Sequence, residues 1–338
     1  MRAAVISAPG QVSVETVDDP SPGRRDVVVE VAACGICGTD LHILDGEFAP
    51  SLPVIPGHEF AGRVVEVGSD VTKLKVGDAV AVDPSLHCGE CHFCRHGRGN
   101  LCDNWAAIGV SRAGGAAEYV AVPMANCFRL PDGVRLEDAA LVEPLSCAVR
   151  GYDVLPRMLG EHYLIYGAGT MGLMMLQLAR RAGATSVSMV DTNAGRLDTA
   201  KVLGASAAAT SADELGHPLG WEVVVDCTGV VAAIEDGLSR VRKGGTFLQF
   251  GVTAENAEAR FSPYRVYNEE ITILGSMAVL HSFERAGELF AGGAIDADVM
   301  ITHRLPLEEY PAALEAFRGG QGLKTQVLPR PATLTEGA

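Results

Sequence analysis

The run Gly167-Ala168-Gly169-Thr170-Met171-Gly172 constrains the fold of this 338-residue chain more than any other stretch. It lies between a short apolar segment, residues 163–166, that reads as a strand, and a helical run over residues 171–182. Glycine patterns alone are common. A strand before and a helix after make this one a dinucleotide-binding turn: the glycines permit a tight bend and bring the backbone close to a pyrophosphate at the helix N-terminus. A glycine turn needed only for packing is the alternative. Against it stands Asp191, nineteen residues beyond the last glycine at the end of a second strand, residues 186–191. There a carboxylate can accept hydrogen bonds from both hydroxyls of an adenosine ribose. The same charge repels a 2′-phosphate, so NAD is expected over NADP, with Arg196 a nearby cation that could meet the ribose. The expected cofactor set is Gly167, Gly169, Thr170, Met171, Gly172, Asp191 and Arg196.

Further apolar strands are expected at residues 222–226, 246–250 and 271–274, spaced by helical segments. That alternation predicts βαβ units and a parallel sheet, so the fold class is α/β. Residues 1–150 read differently. Strands at 26–31, 62–68 and 78–82, with turns at Asp19-Pro20 and Ser21-Pro22-Gly23, indicate a β-rich domain with long loops. After a helix near 283–291, the tail from about residue 300 shows a strand, a helix and a last strand at 325–328, and is expected to return to the first domain. The expected division is 1–150, 151–285 and 286–338, with residues 333–338 frayed.

Composition narrows the function. A chain that is 48% hydrophobic and 20% charged suits a soluble globular protein with ample core. A net charge of −15, with no basic run, argues against nucleic acid as a partner. No stretch of 18 apolar residues suggests a membrane span, and residues 1–10 lack the apolar core of a signal peptide. Nine cysteines without an export signal point to a reducing, cytoplasmic setting, where clustered thiols bind metal more often than they form disulfides.

Four of those cysteines form Cys88-Gly89-Glu90-Cys91-His92-Phe93-Cys94, followed by Cys102. Spacings of two, two and seven intervening residues put four thiolates in one loop, a closed tetrahedral set that leaves no open position and so predicts a structural zinc. A disulfide or free thiols are the alternative. A second, scattered set is Cys37, His58 in Gly57-His58-Glu59, and Glu143 in Leu141-Val142-Glu143-Pro144. One thiolate, one imidazole and one carboxylate leave a coordination position free, as a catalytic zinc requires. Cys34 and Cys37 also form a CxxC pair, but a redox dithiol belongs at a strand-to-helix turn of a βαβ unit, and here the surroundings are β-rich. Cys34 therefore reads as a packed bystander, and Cys127, Cys147 and Cys227 as buried small residues.

Together and in this order, these motifs resemble the zinc-containing medium-chain alcohol dehydrogenases, over about residues 1–330. Ala140-Leu141-Val142-Glu143-Pro144-Leu145 is similar to the sorbitol (polyol) dehydrogenase branch. The resemblance implies a GroES-like β-rich catalytic domain interrupted by a Rossmann doubly wound NAD-binding domain, with the active site in the cleft between them. It implies two zinc ions per subunit, and that Glu59 binds the catalytic zinc directly, through water, or in exchange with Glu143. Thr39 and His42 match the family's proton relay, although His42 is also compatible with an ordinary surface or core histidine. Asp40 reads either as a carboxylate orienting His58 or as a turn residue. The short segment 211–221 departs from relatives and puts a helix on one face of the sheet in doubt. Relatives pair through the last strand of the cofactor domain, which implies a homodimer or homotetramer.

The expected activity is hydride transfer between NAD and a secondary alcohol of a polyol, sugar or cyclitol, with an L-threonine-type amino alcohol or an amino-cyclitol as the alternative substrate. A zinc-finger-like binding module or a scaffold without turnover fits less well, because Cys37, His58 and Glu143 stand beside a complete cofactor motif. Leu44, Phe48, Ile108 and Tyr119 are expected to line the substrate loops.

Overall fold

The apolar run Asp26–Gly35 forms the centre of a seven-stranded sheet, and its valines are buried on both faces. The structure is a computed structural model describing residues 1–47, 51–156 and 158–330; Phe48 and the tail 333–338 lie outside the described residues. Glu59–Val67 pairs antiparallel with the central strand, from Val27 opposite Val67 to Gly35 opposite Glu59. Ala79–Val82 and Cys127–Arg129 extend the sheet beyond it, and Tyr119–Pro123 also pairs with the central strand. The tail supplies Ile301–Pro306, the helix Tyr310–Arg318 and Lys324–Leu328. Its last strand joins the central one, with Val327 opposite Cys34 and the Ile36 N–H donating to Thr325 O at 2.9 Å. Strand Lys324–Leu328 thus lies alongside the residues that lead into Cys37. Phe60, Val64, Ile36, Ile43 and Tyr310 are among the buried side chains that fill this core.

The second sheet has six parallel strands in the order Ala207–Ala209, Ser186–Val190, His162–Tyr166, Trp221–Asp226, Val241–Gln249 and Thr272–Gly275. Its two central strands carry the buried runs 163–166 and 223–225, as strands covered by helices on both faces do. Helices Thr170–Arg181, Ala194–Val202 and Val231–Arg240 make the crossovers. This is the doubly wound order, and the strand sequence reverses between His162–Tyr166 and Trp221–Asp226. Segment 211–221 holds only the 3₁₀ turn Ala212–Glu214, since Gly216, Pro218 and Gly220 leave no run long enough for a helix.

Packing divides the chain into two units: Met1–Ser146 with Val279–Gly292 and the residues from Ala297 onward, and Cys147–Ala278 with Gly293–Asp296. Compared with the division at 150 and 285, the first break falls inside the helix Val142–Val154, and helix Phe283–Ala291 goes with the first unit. Its Gly287 lies so close to the Phe128 ring that a Cβ there would stand 2.1 Å from it. Gly293–Asp296 goes with the second unit, where the Asp296 N–H donates to Gln177 Oε1 at 2.8 Å. Cys34 is fully buried, whereas Cys127, Cys147 and Cys227 are half-buried rather than enclosed as expected. Among the described residues no helix is long and apolar enough to cross a membrane.

Candidate functional site

Cys37 leaves the central strand and acts as N-cap of the short helix Gly38–Leu44. Asp40, in the first turn, is fully buried. Its carboxylate accepts from the Cys37 N–H at 2.9 Å and from the Gly57 N–H at 3.3 Å. One carboxylate therefore ties the loop carrying Cys37 to the loop carrying His58, and it stands 3.9 Å from His58 Nδ1. That nitrogen is buried with no hydrogen-bond partner among the described residues.

Ligand atoms of Cys37, His58 and Glu59 lie within 4.8 Å of one another. Two of the three residues are buried, and the donors are one sulfur, one nitrogen and one oxygen, a set that suits zinc. Burial opposes a charged imidazole at His58, yet Cys37, Asp40 and Glu143 raise its pKa well above the ordinary value. A field that favours a proton there also favours a cation.

Glu143 stands outside this compact group, although it is buried and opens the helix Val142–Val154. Burial pushes its carboxyl up to about 7, with His58 pulling it down and Glu59 pushing it up, so its field reaches the same site. The nearer carboxylate is Glu59, and a residue missed in the sequence holds it. Lys324 Nζ donates to Glu59 Oε2 at 2.6 Å and to Ile36 O at 2.9 Å, and both side chains of the pair are 3% exposed. The available signal was a lysine at the head of the last apolar strand, where a charge has no reason to be unless it is paired.

Thr39 Oγ1 lies 3.8 Å from Cys37 Sγ in the first turn of the helix. His42, near the other end, has a 38% exposed side chain whose Nδ1 contacts the Glu47 carboxylate. Ile43 and Leu44 in the last turn are buried in the core of the first unit, so the helix meets solvent at His42 rather than at its end.

The cysteine loop is compact. Sγ of Cys102 lies 3.5 Å from that of Cys88 and 3.9 Å from that of Cys91, and Cys88 lies 4.0 Å from Cys94. These values bracket the tetrahedral edge of about 3.8 Å that zinc–sulfur bonds of ~2.3 Å require, and they exclude a disulfide. Backbone N–H groups of Cys91, Cys94 and Asn104 point at the sulfurs of Cys88, Cys91 and Cys102. N–H groups of Glu90 and Cys91 bring Cys88 down to about 6, towards the thiolate. His87, His92 and His96 take no part in the group. Replacing Cys91 with alanine is expected to halve the zinc content and lower the melting temperature by about 5 °C or more. Mass spectrometry of the native protein and calorimetry measure both; two zinc ions with unchanged melting would overturn the structural assignment.

In the second unit, Gly167 adopts φ +93°, and a Cβ on Gly172 would lie 1.7 Å from Gly167 O, so both positions require glycine. Gly169 is N-cap of the helix that Thr170 and Met171 open. Asp191 accepts from the Ala168 N–H through Oδ2 and from the Asn193 N–H through Oδ1, each at 2.7 Å. Each oxygen keeps a further lone pair for a ribose hydroxyl. Arg196 lies in the first turn of helix Ala194–Val202, its N–H accepted by Asn193 Oδ1 at 3.2 Å.

The expected substrate residues fare less well. Leu44 and Ile108 are 5% and 2% exposed and belong to the apolar core of the first unit. Tyr119 sits in the sheet with the Arg330 guanidinium 4.7 Å above its ring. Apolar side chains on loops read alike in sequence whether they face a ligand or a core.

Residues 23–132 match the alcohol dehydrogenase GroES-like domain family, and residues 170–292 match the zinc-binding dehydrogenase family. The chain is 37% identical to D-arabinitol dehydrogenase 1 of Uromyces fabae over 97% of both chains. It is 35% identical to D-arabitol-phosphate dehydrogenase of Enterococcus avium over 98% of both. Several bacterial L-threonine 3-dehydrogenases match at 32–35% identity. A crystal structure from Sinorhizobium meliloti 1021, bound to NADP, superposes with a TM-score of 0.93 at 37% identity, covering 97% of this chain and 99% of that one.

Proposed function

Since the chain belongs to the zinc-dependent medium-chain alcohol dehydrogenases, we propose that it oxidises a secondary hydroxyl of a polyol, sugar or cyclitol with NAD. The observation that carries this is the compact Cys37–His58–Glu59 group in a chain similar from end to end to a polyol dehydrogenase.

Cys37, His58 and Glu59, with Glu143 nearby, would hold the zinc, which would supply Lewis acidity towards a substrate hydroxyl, and a bound nicotinamide would supply the hydride acceptor. Two negative ligands and one neutral one balance the charge of the ion. Asp40 keeps Cys37 and His58 in register through the two N–H groups it holds. The Thr39 hydroxyl would accept the substrate proton as it passes on its own, and the His42 imidazole beside the Glu47 carboxylate would hand a proton on to water.

Asp191 supports NAD, because its carboxylate would meet a 2′-phosphate with like charge. NADP bound to the Sinorhizobium protein makes this the point to measure. NAD and NADP reduction should be followed with D-arabinitol, sorbitol, ribitol, myo-inositol, an amino-cyclitol and L-threonine. We expect the fastest turnover with NAD and a polyol, and Asp191→Ala to narrow the preference for NAD by about tenfold, or ~1.4 kcal/mol. Turnover confined to L-threonine would replace the polyol reading, and a wild-type preference for NADP would remove the role given to Asp191.

The proposal includes a cytoplasmic homodimer or homotetramer. The last strand, Thr272–Gly275, forms the edge of its sheet with Ile273 42% exposed, and a second copy is a natural partner for such an edge.

A further inference from the structure

We propose that Asp226 is a positioning residue for the nicotinamide half of the cofactor, acting through the two loops that its buried carboxylate fastens together. The inference rests on the nicotinamide-cofactor reading above. Asp226 ends the strand Trp221–Asp226 and is fully buried. Its Oδ1 accepts from the Thr228 N–H at 3.1 Å and the Thr228 hydroxyl at 2.6 Å. Its Oδ2 accepts from the Gly229 N–H and from Gln249 Nε2, both at 2.9 Å. The backbone carbonyl of the same residue accepts from the N–H groups of Phe250 and Gly251 at 3.0 and 2.8 Å. Side chain and main chain together thus clamp loop 227–230 against loop 249–252.

The clamp leaves no slack. A Cβ on Gly229 would lie 1.9 Å from Val252 O, and one on Gly251 would lie 2.3 Å from Gly229 N. The clamped pair also abuts the glycine turn: the Cys227 N–H donates to Tyr166 O at 2.9 Å, and a Cβ on Gly167 would stand 3.0 Å from Thr228 Cγ2. A buried carboxylate costs several kcal/mol unless its donors are held in place. An apolar residue would fill the same space without that cost, so the buried, fully bonded carboxylate is explained by the loop geometry it enforces.

Topology says which half of the cofactor those loops face. A dinucleotide lies across the switch point of a doubly wound sheet, one mononucleotide on each side. Asp191 and the glycine turn occupy the side built from His162–Tyr166 and Ser186–Val190, which takes the adenosine. The loops held by Asp226 follow Trp221–Asp226 and Val241–Gln249 on the other side, which leaves them the nicotinamide half.

The test is Asp226→Asn in the full-length, zinc-loaded protein, titrated with NADH by fluorescence and with AMP by calorimetry. An amide of the same shape keeps one acceptor oxygen and turns its own N–H groups towards two of the four donors, so the clamp is loosened. The NADH Kd should rise about tenfold, while AMP, which occupies only the adenosine side, stays within about twofold. Equal weakening of both ligands, or no change in NADH binding, would overturn the positioning role. Should the variant not fold, Thr228→Val removes one donor at constant shape, and about a threefold rise for NADH alone is expected. A wild-type protein that binds neither ligand would instead sink the cofactor reading, and this inference with it.

Discussion

Replacing Cys37 with serine is expected to reduce turnover at least about a thousandfold, or ~4 kcal/mol of barrier, while the fold persists and one of two zinc ions is lost. The size follows from the geometry. Cys37 supplies the only thiolate of the Cys37–His58–Glu59 group, and a serine hydroxyl is a poor zinc ligand at neutral pH. Its backbone N–H, which Asp40 accepts, is unchanged by the substitution, so the loop and the helix it caps remain. Metal analysis and the circular dichroism of the variant separate loss of the ion from loss of structure. A Cys37→Ser protein with one zinc and wild-type turnover would remove the catalytic site proposed here.

The second large effect concerns Lys324. Lys324→Met strands the Glu59 carboxylate in a site where it is 3% exposed, and breaking one side of such a pair costs about 3–5 kcal/mol. For a chain of this size the zinc-stripped protein should melt about 5 °C lower. Zinc gives the carboxylate a cation again, so the deficit should shrink on loading. Lys324→Met combined with Glu59→Gln should recover most of the loss, since the uncompensated charge is gone. Equal melting of wild type and Lys324→Met in the zinc-stripped state would show that the ion pair does not hold Glu59.

These two residues also mark what can be read from one sequence. The glycine turn and the helix Thr170–Arg181 were legible to within a residue, because strand, turn and helix signals are local and adjacent. The four-cysteine loop was legible for the same reason. Cys37 and His58 were legible as residue types, but the choice between Glu59 and Glu143 was not. The closeness of Glu59 to Cys37 and His58 is a product of the tertiary fold, in which Lys324 meets Glu59 from 265 residues away through the pairing of the last strand with the central one. Asp226 was visible only as the polar end of an apolar strand; its four donors come from two loops whose meeting depends on the parallel register of Trp221–Asp226 and Val241–Gln249. Leu44 and Ile108 failed as substrate residues because hydrophobicity does not distinguish a pocket wall from a core.

The most direct measurement follows a label. D-Arabinitol deuterated at its carbinol carbons is supplied with NAD to the zinc-loaded protein, and the reduced cofactor is analysed by NMR. Our account predicts one deuterium at the nicotinamide C4 in wild type, and no reduced cofactor above background with Cys37→Ser. Reduced cofactor without deuterium, or no reduction with this or any other polyol by protein carrying both zinc ions, would contradict it.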